Sequence, residues 1–327
     1  MKRNRITFYG ANLFVLILYG LMMVLIACAA ALGIMMAANG TDSLTDFDST
    51  FLIVLMTVGE ALVVGVPVIV FIFISRPGKA LLKLSKPRIA EMLLSFGMGL
   101  GGFGVFLFLQ ILTQQALSSL QLPVQGLNIS ISTGWQLLAW IGALGVLPAI
   151  AEEFAFRGIV LGIYERHLRP FWAIALSAVL FGVLHLQVAF FYFYIGLGII
   201  LGFVVYRSRS IWTGILIHFT QNTLAVLLSY AQEADPGFLT RMGLEETGAS
   251  LGSWGIVAGG SLLIFLSCLF AFSRLTRGRV PAPEKKAPSP FTDWSPLLVV
   301  GIGLILLIGL SVVGAMMLPM LKEMNLY

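Results

Sequence analysis

Long apolar runs, separated by short polar clusters, follow one another from end to end of the chain. A run of about 20 apolar residues crosses the hydrocarbon core of a bilayer as a helix. Nine segments fit that template: Ala11–Ala38, Phe51–Ser75, Met92–Leu112, Trp135–Leu161, Pro170–Leu186, Val188–Tyr206, Ile211–Tyr230, Trp254–Ser273 and Pro296–Leu318. The fifth and sixth share one uncharged stretch of 37 residues between Arg169 and Arg207, with room for two crossings and a tight turn near Gln187. The first run follows Lys2, Arg3 and Arg5, as a signal peptide would. It is far longer than a signal core of roughly 7–15 residues, so it reads as a retained span. The pattern predicts an all-α, polytopic transmembrane helix bundle of about nine helices.

Charge tests the count independently, because Lys and Arg collect in cytoplasmic loops. With the N-terminus inside and the spans alternating, 17 of the 20 basic residues fall in inside segments. Arg157 lies within a span, and Arg241 and Lys322 fall elsewhere. The first outside loop carries Asp42, Asp46 and Asp48, and the second carries no charge. The C-terminus is therefore expected outside. A segment at about 276–295, rich in proline (Pro281, Pro283, Pro288, Pro290), reads as an extended cytoplasmic linker to a peripheral last helix. Three divisions follow: 1–134 with three spans, a 135–230 core with four, and 231–327 with two more and the linker.

Composition agrees with a lipid solvent. Apolar residues make up 58% of the 327, and charged residues only 11%, against about 25% in soluble domains. The basic excess is no nucleic-acid signal, since it is divided among short interhelical clusters. Cys28 and Cys268 lie in apolar runs and are expected to act as small buried hydrophobes. Gly97/Gly101 and Gly198/Gly202 have the four-residue spacing that lets membrane helices approach closely. Asn128-Ile129-Ser130 fits a glycosylation sequon and reads as chance.

Ionisable groups inside a bilayer are expensive, and each asks for a reason. The predicted spans hold six: Glu60, Glu152, Glu153, Arg157, His185 and His218. Five of them cluster between 152 and 218 on three helices. On an α-helix Glu153 and Arg157 are i and i+4 and can pair, whereas Glu152 is rotated by about 100° from Glu153. That leaves Glu152 as the carboxylate suited to general-base work. Phe181 and His185 stand one turn apart, as do His218 and Asn222, an imidazole and an amide that together suit an oxyanion. At about 1.5 Å per residue, Glu152, His185 and Asn222 each lie roughly 20 Å from the basic loops bounding their helices. His167 sits in a basic loop and reads as solvated. Glu60 has no partner that the sequence names; it lines the same cavity or bonds a neighbouring helix.

Glu152-Glu153-x-x-x-Arg157, Phe181-x-x-x-His185 and His218-x-x-x-Asn222 resemble, in order and each on a predicted span, the CPBP family. These are the CAAX proteases and bacteriocin-processing enzymes, including the type II CAAX prenyl endopeptidases. The resemblance covers about 135–230 and implies an intramembrane endopeptidase acting on a membrane-associated peptide or protein. It implies that Glu152 and His185 activate water and that His218 and Asn222 hold the oxyanion. Glu153, Arg157 and Phe181 support the site. No cofactor is required in the favoured reading. A zinc ion held by Glu152, His185 and His218 is the other reading of the same residues, although no His-Glu-x-x-His helix is present. A multi-pass protein of a bacterial plasma membrane is expected, with lipid and a peptide substrate as partners and no nucleic acid.

Two other classes compete. A relative that no longer cuts could serve as a membrane scaffold or a bacteriocin-immunity-type binding protein; the complete motif set argues against it. A transporter would spread its buried charges over both halves, yet the first three spans hold only Glu60.

Overall fold

A computed structural model describes residues 8–38, 49–120, 129–241, 244, 251–280 and 295–323. The basic N-terminal residues, the Asp42–Asp48 loop, Asn128 of the sequon and most of the proline-rich linker lie outside the described residues. Among the described residues ten helices form: α1 (Phe8–Ala38), α2 (Ser49–Ser75), α3 (Ile89–Ser119), α4 (Gly134–Tyr164), α5 (Pro170–Leu184), α6 (Phe191–Ser208), α7 (Ile211–Ala234), α8 (Phe238–Arg241), α9 (Leu251–Leu275) and α10 (Ser295–Glu323). Seven are long and apolar enough to cross a membrane; Pro170–Leu184 and the Ser295–Gly309 part of α10 are shorter apolar helices. Each of the nine predicted segments thus has its helix, and the chain is an all-α, multi-pass membrane protein.

The helices depart from ideal geometry where proline dictates it. Pro67 and Pro148 lack the N–H that would serve the carbonyl four residues back, and their rings crowd it. In both places the chain widens just upstream into a π-helical turn, over Ala61–Gly65 and Ile141–Val146. Leu147 accordingly bonds back five residues, to the Gly142 carbonyl. A third π segment, Glu153–Val160, carries the Glu153-to-Arg157 motif. The start of α4 is fixed by a capping box: Gln136 N donates to Thr133 Oγ1 at 3.4 Å, and Thr133 N donates to Gln136 Oε1 at 3.1 Å. Helix α5 stops at Leu184, because Leu186 takes a left-handed backbone with φ 51°. Its 15 residues give a rise of about 22 Å, short of the roughly 30 Å core. His185 therefore caps a helix end.

Contacts divide the chain into two compact units. The first comprises Met1–Leu82, Phe154–Gly202 and Ala282–Tyr327. Its buried polar groups pair with one another: Tyr164 OH donates to Asn12 Oδ1 at 2.7 Å, Asn12 Nδ2 to Ser295 Oγ at 2.9 Å, and Ser177 Oγ to the Phe156 carbonyl at 3.0 Å. Gly198 faces Ala178 and Gly202 faces Ile174, each closely enough that an added Cβ would press on its neighbour, which is the packing role expected of that pair. His167 is half-buried and bonds the Ile163 carbonyl at 2.9 Å, so its setting is not the solvated loop expected. Cys28 faces outward from α1 instead of into a core.

The second unit comprises Lys83–Glu153 and Phe203–Pro281. Helix α3 packs along α9 and α7 through its glycines. Gly97 lies against Cys268, Gly101 against the Ser261 carbonyl and Phe265, and Gly99 against Thr220. At one end a polar cluster ties the loops together: Arg279 Nη1 donates to Glu91 Oε2 and to the Ser208 carbonyl, both at 3.0 Å. The expected 135–230 core contributes to both units.

Candidate active site

Helices α4 and α7 bring three motif residues together in the second unit. Glu152, Glu153 and His218 are 6%, 0% and 2% exposed. His218 Nδ1 lies 3.3 Å from Glu153 Oε1, and His218 Nε2 lies 3.7 Å from Glu152 Oε2. Successive residues on a helix diverge by about 100°, so two adjacent carboxylates can straddle an opposing ring, one at each nitrogen. A carboxylate accepts and does not donate, so Nδ1 of His218 is the donor toward Glu153, while Nε2 faces Glu152 Oε2 beyond hydrogen-bond distance.

Asn222, one turn beyond His218, is half-buried, and its Nδ2 donates to the Leu144 carbonyl at 2.8 Å. Leu144 stands four residues before Pro148, so this carbonyl is the one that proline deprives of its ordinary partner. The π turn and the asparagine are two halves of one arrangement. The carboxamide keeps a second N–H for other work. Nearby, Gly145 lets Thr223 and Phe219 of α7 close on α4: a Cβ there would sit 2.8 Å from Thr223 Oγ1.

The first unit holds the remaining motif residues. Arg157 is 1% exposed; its Nη2 donates to the Gly198 carbonyl at 3.4 Å, and its guanidinium lies 4.3 Å above the Phe181 ring. Phe181 in turn meets Phe156 and His185 edge-on, at 5.4 and 4.7 Å between centroids. His185 Nδ1 lies 3.0 Å from the Phe181 carbonyl, which only accepts, so Nδ1 is the donor and Nε2 the acceptor nitrogen. The imidazole is stacked on Tyr194 at 3.8 Å with 23° between planes. The motif spacing Phe181-x-x-x-His185 thus has a local meaning: one residue supplies both the carbonyl that sets the tautomer and the ring that orients the imidazole.

Sequence reasoning did not name Tyr194, Leu144 or Pro148. Tyr194 was visible only as one aromatic among several in Phe190–Tyr194, and the proline was a readable signal that α-helical phase would fail upstream of it. The sequence pairs Arg157 with Glu153; contacts described for the two are the Gly198 carbonyl and Phe181 for the arginine and His218 for the glutamate. Glu60, just before the π turn of α2, is half-buried, and its Oε1 makes no hydrogen bond among the described residues. As for a metal, among the described residues no three His, Cys, Asp or Glu side chains gather closely enough to hold an ion.

Residues 134–224 match the family Type II CAAX prenyl endopeptidase Rce1-like, over the same stretch in which the motifs resemble that family. Over 83 residues the chain is 30% identical to the protein named "Putative membrane peptidase YdiL" of Bacillus subtilis (strain 168), a stretch that makes up 25% of this chain. It spans 34% of that relative's length. No solved structure matches the chain.

Proposed function

We propose that the chain is an intramembrane endopeptidase that hydrolyses a peptide bond of a membrane-associated peptide or protein with water activated by Glu152. The observation that carries the reading is the His218 ring held between Glu152 and Glu153, at 3.7 and 3.3 Å. Glu152 takes a proton from water, and the resulting hydroxide attacks the peptide carbonyl carbon. The tetrahedral oxyanion then collapses, the C–N bond breaks, and the proton held by Glu152 passes to the departing amine. The second amide N–H of Asn222 is the donor assigned to the oxyanion. The resemblance gives His185 a share in activating water, and its acceptor nitrogen Nε2 suits that task. Phe181, with the Arg157 guanidinium over its ring, orients the His185 ring through its own ring and carbonyl.

The reading is metal-free, and no step passes through an ion. Positive-inside charge supports an N-terminus and a 274–295 loop on the cytoplasmic side of the membrane, which we read as a bacterial plasma membrane. The test is cleavage of membrane-anchored peptides by the purified protein in bilayers, with products identified by mass, with and without a chelator. Cleavage that survives the chelator is expected. Stoichiometric zinc that is lost together with activity would overturn the metal-free mechanism, and no cleavage of any anchored peptide would favour a binding scaffold.

A further inference from the structure

Glu153 is wholly buried, and a carboxylate that long needs room against the helix carrying His218. That room is at Gly214. Gly214 and His218 are i and i+4 on α7, one above the other on the same face. A Cβ built at Gly214 would lie 2.6 Å from Glu153 Oε2 and 3.4 Å from its Cδ. The carboxylate therefore lies across the bare backbone of Gly214 with one oxygen, while its other oxygen reaches His218 Nδ1 at 3.3 Å. We propose that Gly214 is a positioning residue: the absence of its side chain seats the Glu153 carboxylate, and the seat sets which nitrogen of His218 carries the proton.

The physical argument is one of which atom yields. A helix interior favours alanine over glycine, so a glycine here costs the helix and returns something else. A methyl at 214 would meet the far end of a flexible glutamate, which can swing aside, and also Val205 Cγ2 at 2.6 Å, a stiff β-branched side chain. Moving Glu153 removes the acceptor from Nδ1, and the proton then goes to Nε2, where Glu152 Oε2 stands at 3.7 Å. The oxygen that should receive water's proton would thus be engaged by the ring. For its functional meaning this inference rests on the peptidase reading, but the seat has a readout that needs no substrate.

The chain has three histidines, His167, His185 and His218, so 15N-histidine labelling of the full chain in bilayer discs resolves each ring's tautomer. Wild type should show His218 protonated at Nδ1. Gly214→Ala should move that proton to Nε2 and leave His167 and His185 unchanged, with cleavage falling at least tenfold. Glu153→Asp withdraws the carboxylate by about one bond length of 1.5 Å, so in that background Gly214→Ala should change nothing further. Val205→Ala relieves the other contact and should not restore His218. The proposal is overturned if the His218 signal is unmoved in folded Gly214→Ala, or if Val205→Ala restores it. Should Gly214→Ala alone misfold, it must fold when combined with Glu153→Asp; misfolding in both backgrounds would make the glycine a packing residue only. A wild type that cleaves no peptide defeats the peptidase reading, whereas an unmoved resonance defeats this one.

Discussion

Asn222 is asked to do two things at once. Its Nδ2 closes the Leu144 carbonyl at 2.8 Å, and its remaining N–H is assigned to the oxyanion. Asn222→Ala should therefore lower kcat by about 10²–10³, the usual loss of one such donor, with little change in KM. It should also lower stability by about 1–3 kcal/mol, since it takes this donor from the part-buried Leu144 carbonyl. Steady-state kinetics beside thermal unfolding separates the two losses; a kcat within twofold of wild type would remove Asn222 from the site. At this scale the sequence was informative about identity and less so about partnership. Ionisable groups in apolar runs are few enough that Glu152, Glu153, Arg157, His185 and His218 stood out unaided. Which of them touch depends on helix phase and on backbone carbonyls, and neither is written in side-chain chemistry.

Helix phase is an element-scale matter. Hydropathy reads a helix as a helix, and every apolar run from Ala11 to Leu318 became one. It does not distinguish an α turn from a π turn, and α4 contains two π segments, Ile141–Val146 and Glu153–Val160. Pro148 was the readable warning. Pro148→Ala returns an N–H to Leu144 and lets the first π turn tighten, which rotates the part of α4 that carries Glu152 and Glu153 by up to about 100°. The variant should be as stable as wild type or more so, because proline costs a helix interior about 3 kcal/mol relative to alanine. Its cleavage should fall at least tenfold. Melting curves and rates on the same preparation test this; a wild-type rate would show that the π turn does not aim the glutamates. The short α5 is the other element whose length mattered: its stop at Leu184 depends on the backbone of Leu186, which an apolar run cannot reveal.

For the whole molecule, the distribution of Lys and Arg predicts that the N-terminus and the 274–295 loop share the cytoplasmic side and that the C-terminus is outside. Single cysteines at Ser289 and Asn325, added to a chain with Cys28 and Cys268 replaced, should label from opposite faces with an impermeant reagent; labelling from one face would break the nine-span arrangement. The membrane class was plain from composition alone, since 11% charged residues cannot cover a water-facing surface. The grouping of helices into two compact units was not, because units are made by contacts between distant segments such as Lys83–Glu153 with Phe203–Pro281. What the whole arrangement is for turns on one carboxylate. The most direct measurement compares cleavage of a membrane-anchored peptide by wild type and by Glu152→Gln in identical bilayers, with folding checked by melting. The amide keeps the shape of the side chain but cannot take a proton from water. The account predicts a folded variant whose rate falls to background, at least about 10³ below wild type; cleavage at the wild-type rate would contradict it.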